Sequence, residues 1–453
     1  MRARGPRSAA IVNLGCKVNQ SEMEAAARLL RSRGVAVVGG HERADLVLVN
    51  TCTVTAEADA KSRQAVRRAR LVDNDGKATL LAELDELVGR PGATSGSMDR
   101  ALPTISGVEL ASAVDDRAAV ERTRAFVKVQ DGCSFHCTYC IIPAARGPER
   151  SLAPETILAD VRRALAAGHR EIVLTGINIG TYDGGWSERG PRGSHRAAAL
   201  TLAGLVRRLV AETDVERIRL SSIEPQHVDD ELLAAWTDAA GRCLPHFHLP
   251  LQSGDDGVLR RMGRRYDSAA YAATVARLRA AIPGVAIHGD VIVGFPTEDA
   301  GAWDHSLAFV GSIGFAGIHV FRYSERPGTP AARMAGAVDE PTRKRRAAEL
   351  LAIATECRAA FAAAHAGLSG RVLFETRLDD GRWVGHAEDH VLVAAPSPGG
   401  IDLENSIAQV MIDGIDGETA DLATGRILDV DRPRPIRRPL PLVSSQTGGI
   451  NAS

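Results

Sequence analysis

A strand-then-helix alternation runs through the centre of this chain and constrains its fold more than any other feature. Six short apolar segments are spread over residues 124–325, and helical patterns such as residues 154–168 separate several of them. The segments are RAFVKVQ, EIVLTGIN, RIRLSSIEP, HFHLPLQSG, AIHGDVIVGFP and AGIHVFRYSE. Serial units of this kind predict an α/β fold in which a parallel sheet curves into a full or partial (β/α) barrel, with the chemistry at the C-terminal ends of the strands.

The N-terminal region predicts a small parallel α/β domain, which we place at residues 8–112. Two apolar strands, 9–16 and 44–52, are each followed by a helical pattern. The strands end in Cys16 and Cys52, in the position where parallel sheets bind ligands. The predicted helices cover 21–34, with a Ser cap and a Gly stop, and 55–70, and a Gly-, Pro- and Ser-rich stretch over 90–118 indicates a linker.

The C-terminal third predicts a second, smaller domain. A long helical pattern over 341–367 ends the central domain, which we place at 122–365. Short strand patterns with turns then predict a small β-barrel at 367–430. The Pro-rich tail, 431–453, is expected to be disordered.

The composition predicts a cytoplasmic protein without a membrane partner. Lys and Arg number 55 against 56 Asp and Glu, so any basic surface must be local. No apolar run reaches membrane-spanning length, and the first residues lack the apolar core of a signal peptide. In a reducing compartment, seven cysteines are not expected to form a disulfide framework, and clustered ones indicate metal or redox chemistry.

Three of the seven cysteines lie within eight positions of one loop. Cys133, Cys137 and Cys140 have the spacing C-x3-C-x2-C, which suits a [4Fe–4S] cluster held by closely spaced thiolates. With three protein ligands, one iron is left open to a small molecule. The alternative is a structural zinc loop that uses His136 as a fourth ligand.

This loop, with Tyr139 before its last cysteine, resembles the radical S-adenosylmethionine (SAM) superfamily. The resemblance implies that the three cysteines are catalytic and that the open iron binds the amine and carboxylate of SAM. The reduced cluster then cleaves the C5′–S bond, and the 5′-deoxyadenosyl radical abstracts a hydrogen atom. It also implies an electron donor of the flavodoxin or ferredoxin type.

A longer series of segments resembles the methylthiotransferases, which attach a methylthio group to tRNA adenosine or to a ribosomal protein. The segments GCKVNQ and NTCTVT most resemble the branch that acts at C2 of N6-threonylcarbamoyladenosine in the tRNA anticodon loop. GHAEDHVLV and NSIAQVMI resemble a TRAM domain, a small RNA-binding barrel. The further segments are NLGCKVNQSE, VNTCTVT, EIVLTGINIGTY, LSSIEP, HLPLQSGDDGVLRRMGRRY, GDVIVGFPTE and FRYSERPGTPA.

The same resemblance implies contacts to the cofactor from residues that follow the central strands. The loop LTGINIG would meet the methionine end of SAM, although a plain strand-to-helix turn is the alternative. Glu224 would contact cofactor or substrate, or would be a surface carboxylate. The implied cofactor-binding residues are Tyr139, Thr175, Gly176, Asn178, Glu224, Gln252 and Asp290.

The chain departs from the family's pattern in its N-terminal domain. The family holds a second cluster with three cysteines; Cys16 and Cys52 match the first two, and no cysteine occurs between Cys52 and Cys133. Three alternatives remain: a substitute ligand, a labile two-cysteine site, or no second cluster. The substitute ligands considered are His41, Asp73 and Asp75, whereas Cys243 and Cys357 are expected to be buried apolar side chains.

Several basic stretches could contact the RNA backbone, or could simply be solvated faces. Phe374 and Trp383 could stack on bases, with core packing as the alternative. The basic stretches are Lys61, Arg63, Arg67, Arg68 and Arg70; Arg260, Arg261, Arg264 and Arg265; and residues 343–346.

Taken together, the sequence predicts a radical SAM methylthiotransferase that modifies N6-threonylcarbamoyladenosine in tRNA, with an unidentified sulfur source. Two alternatives remain. One is a ribosomal-protein methylthiotransferase. The other is a degenerate paralogue that binds RNA without inserting sulfur, which the missing cysteine favours and the intact Cys133 triad opposes.

Overall fold

The computed structural model describes residues 8–13, 17–38, 44–50, 123–184, 200–416 and 422–431. They fall into two compact units, one N-terminal and one that begins near residue 122. No helix in these ranges is both long enough and apolar enough to cross a bilayer.

The N-terminal unit is a three-stranded parallel sheet packed against one helix. Its elements are β1 (Ser8–Asn13), α1 (Lys17–Ser32), β2 (Ala36–Val38) and β3 (Leu46–Asn50), and the strand order is β2-β1-β3. Helix α1 begins four residues before the predicted Ser cap, because Val18 and Asn19 are already buried and Asn19 donates to Asn50 Oδ1 at 2.7 Å. Cys16, Cys52, the 55–70 helix and the 90–118 linker lie outside the described residues.

The second unit is built on six parallel strands that lie side by side in chain order. Strands β4, β7 and β8 form one parallel sheet and strands β9, β10 and β11 form another, and the bridge between Ser222 and His248 joins the two. The predicted partial (β/α) barrel and all six predicted strands are confirmed. The six strands are β4 (Arg124–Lys128), β7 (Glu171–Thr175), β8 (Arg217–Leu220), β9 (His246–His248), β10 (Ala286–Val293) and β11 (Gly317–Arg322).

Helices cover the outside of this sheet, and the two strands of a short antiparallel ribbon lie before and after the first of these helices in the chain. Strand β7 is buried along its whole length, as expected for a parallel strand covered on both faces. The ribbon strands are β5 (Gln130–Asp131) and β6 (Arg150–Ser151). The helices are α2 (Ile142–Arg146), α3 (Pro154–Ala166), α4 (Leu202–Glu212), α5 (Asp230–Thr237), α6 (Asp256–Met262), α7 (Ser268–Ala281) and α8 (Ala300–Ile313).

A long helix, α9 (Glu340–Ala363), leads into a closed five-stranded barrel with the order β12-β13-β14-β16-β15. Phe374 and Trp383 are buried in the core of this barrel, which confirms the packing alternative and excludes them as exposed stacking platforms. The strands are β12 (Ser369–Arg377), β13 (Trp383–Ala387), β14 (Leu392–Ala395), β15 (Ile407–Ile415) and β16 (Leu422–Val430).

A buried ionic network joins the small barrel to the first residues of β7 and β8. Glu171 accepts from the Nε atoms of Arg217 and Arg219, each at 2.8 Å, and all three side chains are buried. Burial alone would raise the pKa of Glu171, but the two guanidiniums hold it far below its usual value. Arg217 also donates to the backbone oxygens of Arg371 and His386, at 3.2 Å each. The joint therefore lies at the N-terminal ends of the strands.

Candidate functional site

The cysteine loop follows β5 and is held by backbone hydrogen bonds. The Cys133 amide donates to Gly147 O at 3.1 Å, and the Cys140 amide closes a turn onto Cys137 O at 3.0 Å. Gly132 must be glycine, because its φ is +69° and a Cβ there would lie 2.1 Å from Pro148 O. The three thiols are half-buried and free of disulfides. His136, considered as a zinc ligand, is exposed.

Burial disfavours a bare thiolate at Cys133 and Cys140, so these sulfurs would become thiolates on binding a metal. Burial raises the pKa of Cys140 to about 12 and raises that of Cys133 as well, so an iron cluster would supply the positive charge that thiolates need here. The Phe135 amide donates to Cys133 Sγ at 3.4 Å, and Arg264 Nη1 lies 3.5 Å from Cys137 Sγ. Donors to sulfur of this kind are found around iron–sulfur clusters.

Arg264 is a positioning residue of this loop, and its predicted role as a phosphate contact is wrong. Its side chain is buried, contacts the Tyr139 hydroxyl at 3.2 Å and pairs with Glu224. Glu224 is accordingly a partly buried partner of Arg264, with its side chain 17% exposed, rather than a surface carboxylate. The neighbouring Arg265 lies over the Phe135 ring, with Cζ 3.8 Å from its centroid.

The other arginines that were predicted to contact RNA include both buried and exposed side chains. Arg346 is buried against Glu298 at 2.9 Å and cannot reach a phosphate. Arg260, Arg261 and Arg345 are exposed, so their role as RNA phosphate contacts stays a prediction. The basic stretch over residues 61–70 lies outside the described ranges. Cys243 is buried, as predicted, whereas Cys357 is half-buried on α9.

The loop after β7 presents polar groups that have no partner among the described residues. Thr175 Oγ1 and both amide atoms of Asn178 are buried without a hydrogen bond, and so is Ser221 Oγ at the end of β8. Buried polar groups without partners are costly, and a polar ligand would satisfy them. These residues therefore fit the binding of SAM. Ser221 was missed in the sequence, although it stands just after a predicted strand.

Gln130 connects this loop to the cysteine loop. Its Oε1 accepts from the amides of Ile177 at 3.0 Å and Asn178 at 2.8 Å, and its Nε2 donates to Gly132 O at 2.8 Å. Gly176 passes so close that a Cβ would meet Gln130 O at 3.0 Å. Gln130 was not predicted as a site residue, because its one signal in the sequence is a polar side chain three positions before Cys133, at the end of an apolar strand.

An open cleft of about 210 Å³ lies beside Cys140. Tyr139, Gln252 and Asp290 line it together, so the structure brings these three predicted residues to one surface. Ile141, Ile292 and Phe321 give the cleft apolar walls, and Arg322 and Ser324 add polar groups. Thr175, Gly176 and Asn178 lie on the separate loop that Gln130 fixes.

Two family models and a solved structure resemble parts of this chain. Residues 127–310 match the model of the radical SAM superfamily, and residues 8–82 match "Uncharacterized protein family UPF0004". The chain is 16% identical to the solved radical S-adenosylmethionine methyltransferase TsrM from Kitasatospora setae, covering 72% of this chain and 75% of that one with a TM-score of 0.49.

Curated relatives match over most of their length. The threonylcarbamoyladenosine tRNA methylthiotransferase MtaB of Bacillus subtilis is 33% identical over 410 residues, which is 84% of this chain and 88% of the relative. The tRNA-2-methylthio-N(6)-dimethylallyladenosine synthase of Erythrobacter litoralis is 32% identical, with 84% and 89% covered. The MtaB protein of Rickettsia prowazekii is 33% identical, with 74% and 80% covered. The chain therefore belongs to the radical SAM tRNA methylthiotransferase family, whose chemistry uses SAM and a [4Fe–4S] cluster.

Proposed function

We propose that this chain adds a methylthio group to C2 of N6-threonylcarbamoyladenosine in the tRNA anticodon loop. The observation that carries the choice of substrate is Arg322, which lines the cleft beside Cys140. A threonylcarbamoyl group ends in a carboxylate, whereas a dimethylallyl group is apolar. Within the described ranges the Arg322 guanidinium has one ion pair, with the half-exposed Glu340. Such exposed pairs contribute little, so the guanidinium can turn to an anionic substituent.

The sequence supports the same substrate. The two MtaB relatives are as similar to this chain as the dimethylallyladenosine synthase is, so identity alone does not separate the two activities. The segments GCKVNQ and NTCTVT resemble the threonylcarbamoyladenosine branch. The closed β12–β16 barrel supports RNA binding through a TRAM-like domain. We expect the enzyme to act in the cytoplasm and to take electrons from a flavodoxin or ferredoxin.

Each part of the site has a distinct task in this proposal. Cys133, Cys137 and Cys140 would hold the cluster, and the cluster and SAM together, when bound, supply homolytic cleavage of a C–S bond and removal of a hydrogen atom. Thr175 and Asn178 would bind the polar end of SAM. The apolar walls of the cleft would keep water from the reacting carbon, since water would quench reactive species.

Two experiments test the proposal. Replacing Cys133, Cys137 or Cys140 by Ala should abolish reductive cleavage of SAM by the reconstituted protein; if the triple variant still forms 5′-deoxyadenosine, the cluster assignment is wrong. The second offers the enzyme tRNA that carries either threonylcarbamoyladenosine or dimethylallyladenosine. Nucleoside mass spectrometry should find the methylthio group on the first only.

Arg322→Leu provides the matched test of substrate choice. Methylthiolation of the threonylcarbamoyl substrate should fall while SAM cleavage without tRNA is kept. Arg207→Leu on α4 serves as the control and should act like the wild type, because Arg207 pairs with Glu231 at 2.9 Å and its side chain is about as exposed as that of Arg322. Equal effects of the two substitutions would count against recognition of a carboxylate.

The missing third N-terminal cysteine supports a second candidate, an RNA-binding paralogue that no longer inserts sulfur. That candidate predicts tRNA binding and SAM cleavage without any methylthio product. Robust product formation on either tRNA would exclude it.

A further inference from the structure

Three side chains of types that ligate metals converge next to the cleft, and one of them, Asp290, lines it. They come from neighbouring strands: His248 from β9, Asp290 from β10 and His319 from β11. His319 is the direct cross-strand partner of Asp290. One ligand atom of each residue lies within 4.8 Å of the other two. Asp290 and Cys140 both line the cleft, so the group adjoins this space through Asp290.

The spacing of this group matches the coordination sphere of one ion. His248 Nε2 lies 2.9 Å and His319 Nδ1 3.0 Å from the same oxygen, Asp290 Oδ1. Adjacent ligands at about 2.1 Å from an octahedral ion are about 3.0 Å apart. The two imidazole rings are 5.3 Å apart between centroids, close to the roughly 5 Å expected for two histidines on one metal ion.

Hydrogen bonding alone accounts for only half of this arrangement. His319 Nδ1 does form a hydrogen bond with Asp290 Oδ1. His248 is 7% exposed, and its Nε2 forms no hydrogen bond of normal angle within the described part of the chain, although Asp290 Oδ1 is only 2.9 Å away. A neutral imidazole that served Asp290 as a simple donor would aim its N–H at the oxygen. A short contact outside hydrogen-bond angles fits two atoms that bind the same metal ion.

We propose that His248, Asp290 and His319 bind a divalent transition-metal ion, Fe²⁺ or Zn²⁺, in the wall of the cleft. Two histidines and one carboxylate are a recognised ligand set for such ions and leave coordination positions open. The ion would be separate from the iron of the Cys133, Cys137 and Cys140 loop. Asp290 then serves as a metal ligand in place of the direct cofactor contact expected from the sequence.

A second histidine group does not support the same inference. One ring nitrogen each of His246, His288 and His390 also lies within 4.8 Å of the others. This group includes no carboxylate, and the Arg124 guanidinium approaches His390 Nε2 at 3.4 Å. A guanidinium in contact with a ligand opposes a cation, so charge favours the group around Asp290.

Zinc binding to the reconstituted full-length protein tests the proposal. The protein is equilibrated with Zn²⁺ without oxygen, and iron and zinc are measured separately by mass spectrometry. We expect one zinc per chain, with nitrogen and oxygen ligands at about 2.0–2.1 Å by X-ray absorption. Asp290→Asn keeps the shape and an acceptor oxygen but loses the charge, so this zinc should be lost. His319→Ala should also lose it, and since the His319 side chain is 60% exposed this variant should fold.

His305→Ala is the matched control, because His305 Nδ1 pairs with a carboxylate, Asp255 Oδ2, at the same 3.0 Å without a third ligand. It should bind zinc like the wild type. Unchanged iron content in all variants would show that the cluster loop is intact. The proposal would be overturned if the wild type bound no zinc, or if Asp290→Asn bound as much zinc as the wild type. Zinc coordinated only by sulfur at about 2.3 Å would overturn it as well.

Discussion

Replacing Gln130 by Met should loosen SAM binding by separating two loops that this side chain holds together. Met keeps the length of the side chain but cannot accept the amide protons of Ile177 and Asn178. A buried donor without a partner costs about 1–3 kcal/mol, so the two amides together cost about 2–6 kcal/mol. If the lower value, about 2 kcal/mol, is lost from the free energy of SAM binding because the 175–179 loop is displaced, the dissociation constant of SAM should rise about 30-fold.

The assay is equilibrium binding of SAM to the anaerobically reconstituted protein, with cluster content followed by iron analysis and visible absorption. Gln409→Met on β15 changes the same side chain in the small barrel and should leave SAM affinity unchanged. A rise of less than about threefold in the Gln130 variant, with the cluster intact, would show that the 175–179 loop holds its position without Gln130.

Three further predictions concern stability and the second cluster. Glu171→Gln should destabilise the second unit by about 3–5 kcal/mol, because two buried guanidiniums lose their charged partner, and the thermal midpoint should fall well beyond that of the exposed control Glu212→Gln. The hydrogen bond to Asp389 raises the pKa of His365 above its usual value, so this contact stabilises the fold below about pH 6.5 and the stabilisation is lost as pH rises through the folded pKa. The thermal unfolding midpoints of the wild type and His365→Gln should therefore differ more at low pH than at high pH. A difference that does not change with pH would contradict this. Because Cys16 and Cys52 are the only matching N-terminal cysteines in the sequence, the wild type should hold clearly fewer than about eight irons per chain. The Cys16→Ala/Cys52→Ala variant should hold about four irons and should still cleave SAM. A stable wild type with about eight irons would show that another residue supplies the missing ligand.

The sequence predicts the central strands and the cysteine loop because both are recorded in local patterns. Runs such as EIVLT report burial directly, and the spacing of Cys133, Cys137 and Cys140 reports a cluster without any knowledge of the fold. The site roles of Gln130 and Arg264 cannot be predicted from local sequence, because their partners lie about 47 and 127 residues away and only the folded chain brings them together. Arg264 looks like part of a basic surface for the same reason: its burial depends on residues of other loops, such as Tyr139 and Glu224.

The joint between the small barrel and the strand sheet has a consequence for how this protein could diversify. Arg217 binds main-chain oxygens of Arg371 and His386, not their side chains. Every amino acid carries such an oxygen, so drift in barrel sequence leaves these contacts in place as long as the backbone path is kept. Barrels with different outer surfaces could thus be exchanged on one catalytic core, and chimeras joined near residue 367 are a practical route to altered RNA preference.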